Sequence, residues 1–400
     1  MTPPDRFAIP LATGTLSLIL KQGSIPLNRL LGFAARVSSK RKFLLVSKIL
    51  GKHYPVTPRL MRWSYRALAR QVLKHGVGNA SLWIGMAETA TGLGYGIYEQ
   101  ACAEGLQNGL FMQTTRYELL GQERLLFNEE HSHATDFFLY YPTQPDYREQ
   151  FFKAQTLVLI DDEISTGKTF LRLIHAYQAV NPRLNKVFIV SLVNFASETD
   201  RLALETQAGV SVAWLSFREG SLSFDDAYNS QLDAISVNAS SNNQCKRHLL
   251  AWQGRLGINQ PVRLADNSVT QAQALFITNN DDKRPLLVLG TGECNAPAYL
   301  LGRALEEAGF CVKVQSTTRS PIHVGNAIGS VCAFEDNYED AITNYLYNLN
   351  PAHYREIILC HETPLNAPLL ARCEAWQAIS ARFIAPTNNS DYAELYFSRP

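Results

Sequence analysis

The sequence predicts an α/β protein of two domains: a parallel sheet flanked by helices, then a second, smaller α/β domain of Rossmann-like pattern. Three observations predict this. Four hundred residues exceed what one hydrophobic core usually organises. Short apolar runs alternate with stretches of helical periodicity, the pattern of βαβ units. Between residues 236 and 247 that alternation gives way to a polar tract, VNASSNNQCKR, rich in Asn and Ser and without apolar period. A break there divides the chain into a first domain over 1–240, a linker over 241–260 and a second domain over 261–400.

In the first domain, SLWIG at 81–85 reads as a strand that runs into a turn, and residues 92–104 open a helix. A second strand occupies 157–160 and ends in two acids. After a glycine-containing turn, Phe170, Leu173, Ile174 and Tyr177 form an i, i+3, i+4, i+7 stripe that stops at Asn181-Pro182, so this segment is a helix. VFIVSLV at 187–193 is a strand, 198–207 a polar helix, and VSVAWLSF at 210–217 another strand. The second domain repeats the alternation. LLVLGTGE at 286–293 is a strand and its turn, 296–308 a helix closed by Gly309, CVKVQ at 311–315 a strand, STTRSP at 316–321 a turn, and EIILCHETP at 356–364 a strand leaving into a polar loop.

Composition narrows the function. Hydrophobic residues make up 46% and charged residues 18%, which suits packed cores and excludes wholesale disorder. A formal net charge of +1 lacks the basic excess of a nucleic-acid-binding protein, so small ligands are expected and nucleic acid is not. Seven scattered cysteines without a C-x-x-C pair argue against a disulfide framework and point to a reducing cytoplasm. The apolar stretch at 9–20 lacks a basic leader and is broken by Thr13, Gly14, Thr15 and Ser17, so secretion is not expected. No run approaches the ~18 apolar residues of a membrane span.

The chemistry concentrates at 156–169, TLVLIDDEISTGKT. Open α/β sheets bind ligands at the carboxyl ends of their strands, where N–H groups and helix N-termini face outward. A sugar phosphate needs acceptors for adjacent ribose hydroxyls, which Asp161 and Asp162 supply. It also needs donors for its 5-phosphate, which Ser165, Thr166, Gly167, Lys168 and Thr169 supply at a helix start whose dipole favours an anion. Gly167-Lys168-Thr169 ends like a P-loop, but the first glycine of that motif would fall on Asp162, whose carboxylate would repel the phosphates a P-loop encloses.

The segment VLIDDEISTGKT resembles the 5-phosphoribosyl-1-pyrophosphate (PRPP) signature of type I phosphoribosyltransferases. That resemblance implies their fold, a parallel sheet with a hood, and their Mg²⁺-dependent transfer of 5-phosphoribose with release of pyrophosphate. The metal would be held chiefly through PRPP, with no direct protein ligand assigned. The resemblance also implies a pyrophosphate loop, placed at Ala87, Glu88 and Thr89 within IGMAETATGLG, and a loop over 114–135 that closes on substrate. On that loop Arg116 is placed to contact pyrophosphate. Glu130, His131 and His133 are candidates to orient pyrophosphate or shuttle a proton, with a solvated surface loop the equal alternative for the two histidines. The i, i+2 spacing of the histidines does not suit a zinc site. Ser165 stands where 6-oxopurine enzymes carry an Asp and orotate-type loops a Ser, while Lys168 departs from the usual Gly. The acceptor is therefore expected to be pyrimidine-like or unusual.

More of the chain is similar to a bacterial family in which such a transferase is fused to a C-terminal TRSP domain, found with tellurium-resistance and stress gene clusters. The segments that carry this are FLLVSKILGKHYPV at 43–56, AETATGLG, EEHSHATD at 129–136 and STTRSPI at 316–322. It implies synthesis of a nucleotide-like metabolite; a PRPP-sensing protein without turnover is the other reading. Lys48, Lys52 and His53 would belong to the hood or to an exposed basic strand. In the second domain Gly290, Gly292 and Glu293, with Thr318, Arg319 and Ser320, end strands at one sheet edge and make a candidate second anion site. Tight turns and a structural arginine are the alternative there. The expected partners are PRPP and a small-molecule acceptor, without membrane, and a homodimer stays open.

Overall fold

The computed structural model describes residues 4–399 apart from 22, 24, 37–40, 79, 126, 128–136, 227–249, 278–281 and 385–391. The first half opens with a hairpin, β1 (Asp5–Leu11) and β2 (Gly14–Leu20). A short helix α1 (Leu27–Leu30) leads to a second hairpin, β3 (Leu31–Ala35) and β4 (Phe43–Ser47). Then come α2 (Pro58–Lys74), β5 (Ser81–Gly85), α3 (Thr91–Ala103) and β6 (Gly109–Gln113). A small hairpin, β7 (Arg124–Leu125) and β8 (Leu139–Tyr140), precedes α4 (Pro145–Lys153) and β9 (Thr156–Ile164). The half closes with α5 (Lys168–Val180), β10 (Lys186–Asn194), α6 (Glu198–Ala208) and β11 (Ser211–Asp225).

These strands form one seven-stranded sheet in the order β1-β2-β11-β10-β9-β5-β6. From β11 to β6 neighbours run parallel, and β5, β6 and β10 are buried nearly throughout, because helices cover both faces. The second half of β11 turns to pair antiparallel with β2, which adds the N-terminal hairpin to the sheet edge. The longest helix, α2, starts where Thr57 accepts from the Leu60 N–H at 3.3 Å and Pro58 occupies the first turn. It buries Met61, Tyr65, Leu68 and Val72 on one face. Among the described residues no helix is long and apolar enough to cross a membrane.

The second half contains a 3-10 turn at Gln253–Arg255, β12 (Arg263–Leu264), α7 (Ser268–Gln273), β13 (Leu286–Gly290), α8 (Asn295–Glu307) and β14 (Val312–Ser316). A hairpin of β15 (Val331–Glu335) and β16 (Thr343–Tyr347) follows. The chain then runs through β17 (Glu356–His361), α9 (Ala367–Trp376), β18 (Ile379–Ile384) and β19 (Tyr392–Ser398). The sheet order is β12-β19-β18-β17-β13-β14. Strands β14, β13, β17 and β18 are parallel, whereas β19 returns antiparallel to β18, so this α/β domain has a mixed sheet.

The two halves share a core. Leu82 and Ile84 of β5 belong to the same buried cluster as Val288 of β13, Val314 of β14 and Ile358 of β17. Helix α8 packs on α2 and α3 so closely that a Cβ on Gly92 would lie 3.0 Å from the Asn295 Cβ. Residues 250–258, within the expected linker, pack inside this junction: Trp252 and Arg255 are each 1% exposed, and Ile258 exchanges backbone hydrogen bonds with Phe111 at 2.8 and 2.9 Å. The carboxyl ends of β5 and β6 face those of β13, β14 and β17.

Candidate functional site

Strand β9 runs on through its acids rather than ending at residue 160, with Asp161 and Glu163 still in register with Ser191 and Val193 of β10. Asp161 and Asp162 are half-buried, and the Asp162 N–H donates to Asp161 Oδ1 at 2.9 Å. Burial and the neighbouring Asp162 push the Asp161 carboxyl well above the usual range, and burial with Glu163 pushes Asp162 up to about 6. Glu163 itself pairs with Arg41 Nη1 at 2.5 Å. After the acids, Gly167 precedes α5 at φ 79, a left-handed conformation, and a Cβ there would approach Leu204 Cδ1 to 2.9 Å and Trp214 Cη2 to 3.2 Å. Both the turn and the packing require glycine. Ser165, Lys168 and Thr169 are exposed around the start of α5, with Thr166 half-buried, so all five residues expected at the 5-phosphate surround one helix N-terminus beside the acid pair.

Ala87, Glu88 and Thr89 follow β5, and the Ala87–Glu88 peptide is cis. The Ala87 N–H, expected to face the ligand, instead donates to Thr114 Oγ1 at 2.8 Å. Glu88 is buried and accepts from Lys52 Nζ at 2.8 Å, while Arg319 Nε lies 3.7 Å from its other oxygen. Burial acts to raise this carboxyl, and Lys52, Arg319 and Arg116 outweigh it and hold it below the usual range. Of the hood candidates, Lys52 and His53 are buried, and burial with the Lys52 charge drives His53 down to about 3, so its ring is neutral. Lys48 is bound instead to the Asn28 carbonyl at 3.0 Å.

The Arg116 N–H donates to Glu293 Oε1 at 2.8 Å, and its guanidinium lies over the Phe137 ring at 4.4 Å. Its Nε has no hydrogen-bond partner among the described residues. Glu130, His131 and His133 lie outside the described residues.

The second-domain candidates divide into two groups. Gly290 and Gly292 are packing positions: added Cβ atoms would meet the Cys294 carbonyl at 2.6 Å and Tyr338 Cε2 at 2.5 Å. Glu293 is 1% exposed, and its carboxylate accepts from Thr115 Oγ1 at 2.6 Å, Arg255 Nη2 at 2.9 Å and the Arg116 N–H. Arg255 also bridges Glu362 at 2.8 and 3.0 Å, and Tyr338 donates to the same carboxylate at 2.8 Å while stacking on Tyr117 at 4.3 Å between centroids. Arg255, Glu362, Tyr117 and Tyr338 carry no sequence motif, so reading the sequence does not find them. Arg319 faces the first domain. It pairs with Asp340 at 3.1 Å, reaches Glu88, and lies 5.1 Å from the Tyr117 ring centroid. Thr318 Oγ1 accepts from the Ser320 N–H at 3.2 Å.

The profile of a phosphoribosyl transferase family matches residues 30–221, and that of the TRSP domain, C-terminal to such transferases, matches residues 252–374. No curated protein matches the sequence. Similar solved structures include the adenine phosphoribosyltransferase of Trypanosoma brucei, at 14% identity over 47% of this chain and 75% of that one, TM-score 0.32. The Leishmania tarentolae adenine enzyme is 17% identical over 48% of this chain and 85% of that one, TM-score 0.33. The orotate phosphoribosyltransferase of Mycobacterium tuberculosis is 15% identical over 48% and 91%, TM-score 0.28. With both profiles matched in order along its length, the chain belongs to the family in which a phosphoribosyltransferase domain is followed by a TRSP domain.

Proposed function

We propose that this phosphoribosyltransferase binds PRPP on the Asp161–Thr169 turn and, with Mg²⁺, transfers its 5-phosphoribose to a pyrimidine-like or otherwise unusual small-molecule acceptor. The observation that carries the reading is the pair of half-buried acids set beside the N-terminus of α5, where a left-handed Gly167 opens the helix. N–H groups at that N-terminus suit a 5-phosphate, and the acids suit the ribose hydroxyls. Breaking the bond to pyrophosphate builds positive charge at the anomeric carbon and negative charge on the leaving group, so electrostatic stabilisation is the main task. In their ionised forms, Asp161 and Asp162 would oppose the first charge from close by. Two adjacent carboxyls, both raised by burial and one of them further by its neighbour, fit a divalent cation held largely through ligand oxygens, and Mg²⁺ there would neutralise the leaving pyrophosphate.

The test is pyrophosphate release from PRPP and Mg²⁺ across a panel of bases. Pyrimidine-like acceptors should exceed hypoxanthine and guanine, because Ser165 supplies no carboxylate to the base. The Asp161→Asn/Asp162→Asn protein should stay folded and lose both turnover and calorimetric PRPP binding. Undiminished PRPP affinity in that folded variant would sink the reading.

A further inference from the structure

Two sheets meet here by their carboxyl ends, the edges at which α/β sheets bind ligands. The turn that ends β14 is inserted into the first domain's site. Val314 exchanges backbone hydrogen bonds with Val56 at 2.9 and 2.7 Å, the Ile322 N–H donates to Tyr347 Oη at 2.8 Å, and Ile322 forms a β-bridge with Arg36, just past β3. Between these anchors stands Arg319, with Glu88 of the expected pyrophosphate loop on one side and Tyr117, next to Arg116, on another.

Charge pairing does not use up this turn. Arg319 Nη1 and Ser320 Oγ are buried without a hydrogen-bond partner among the described residues, and so is Arg116 Nε across the junction. A buried donor left unpaired costs free energy, so native proteins rarely keep several together unless a ligand satisfies them. The Asp340 and Glu88 carboxylates and the Tyr117 hydroxyl meanwhile hold the guanidinium in place: Asp340 takes Nη2 at 3.1 Å and Glu88 lies 3.7 Å from Nε, while Nη1 has no hydrogen-bond partner among the described residues.

We propose that the C-terminal domain completes the transferase site: Arg319 and Ser320, together with Arg116, bind an oxyanion of the reactants. The arrangement thus makes one composite site of what the sequence presents as two. An oxyanion of this chemistry has two sources, the pyrophosphate of PRPP or an acid group on the acceptor. The assignment rests on the PRPP reading above, and its test separates the two.

Calorimetry on the full chain would compare wild type with Arg319→Ala and Arg319→Lys, using pyrophosphate, ribose 5-phosphate and orotate as probes. Ribose 5-phosphate should bind all three proteins alike, because it engages only the turn before α5. If it does not bind wild type, the PRPP reading fails rather than this one. Pyrophosphate affinity should fall roughly tenfold to hundredfold in Arg319→Ala, the usual consequence of losing one charge-assisted contact, with no matching loss of melting temperature. Loss confined to orotate assigns the oxyanion to the acceptor and supports the same composite site. Should Arg319→Ala not fold, Arg319→Lys keeps the charge between Glu88 and Asp340 but removes the planar fork, and it should still weaken one of the two anions. Full affinity for both pyrophosphate and orotate in a folded Arg319 variant overturns the proposal.

Discussion

Asp162 holds a proton more tightly in the folded chain than in the unfolded one, since burial and Glu163 raise its carboxyl from 3.8 to about 6. A folded state that binds the extra proton is favoured below the unfolded value, and that advantage is lost as pH rises through about 6. Asp162→Asn removes the titration while keeping the shape. It should therefore raise the melting temperature at about pH 7.5 by a few degrees and change it little at about pH 3, below the unfolded value, as calorimetric melts would show. Ligand binding should carry the opposite dependence in the native protein, because the ionised acid is the better acceptor for ribose hydroxyls. A lower melting temperature for the variant at the higher pH would mean that the charge is compensated in the folded site.

At the scale of elements, the turn between β9 and α5 decides how the site is presented. Gly167 is under two constraints, a left-handed backbone and the approach of Leu204 and Trp214. Gly167→Ala should cost about 1–3 kcal/mol in urea denaturation, from the left-handed penalty of ~1–2 kcal/mol plus crowding. It should also weaken ribose 5-phosphate binding by more than the stability loss requires, because the helix start itself must shift. Helix α5 was legible in the sequence because its apolar stripe, its closing Asn181-Pro182 and its opening glycine are all local signals. Helix α2 carries signals of the same kind, Thr57, Pro58 and a stripe from Met61 to Val72. The hairpin of β1 and β2 was harder to read: its alternating GTLSLIL strand is overlaid by an apolar run, which invites comparison with a leader segment.

At the scale of the molecule, the junction is fastened by a buried cation between two buried carboxylates. Arg255 bonds Glu293 and Glu362, and all three side chains are at most 1% exposed. Burial works to lower the Arg255 pKa, and Glu362 and Glu293 more than offset it, raising it well above the ordinary value. Arg255→Met would leave two buried carboxylates without their cation, which should cost about 3–5 kcal/mol in chemical denaturation. Replacing all three with Met, Gln and Gln should recover much of that loss, since no charge is then left unpaired. A single mutant as stable as the native chain would show that the two carboxylates find other partners or take up protons.

The sequence by itself determined the alternation of strands and helices, the acid pair with its glycine turn, and the resemblance to a transferase joined to a TRSP domain. Each of these is written in residues close together in the chain, where periodicity and turn chemistry act. It kept the two candidate anion sites apart and treated residues around Arg255 as linker. Only the tertiary structure brought Arg319 to Glu88, engaged Glu293 with Arg255 and Thr115, and set the carboxyl ends of the two sheets against each other. Such contacts depend on how helices α2, α3 and α8 dock, and no local pattern specifies which buried charge will meet which partner across a domain boundary.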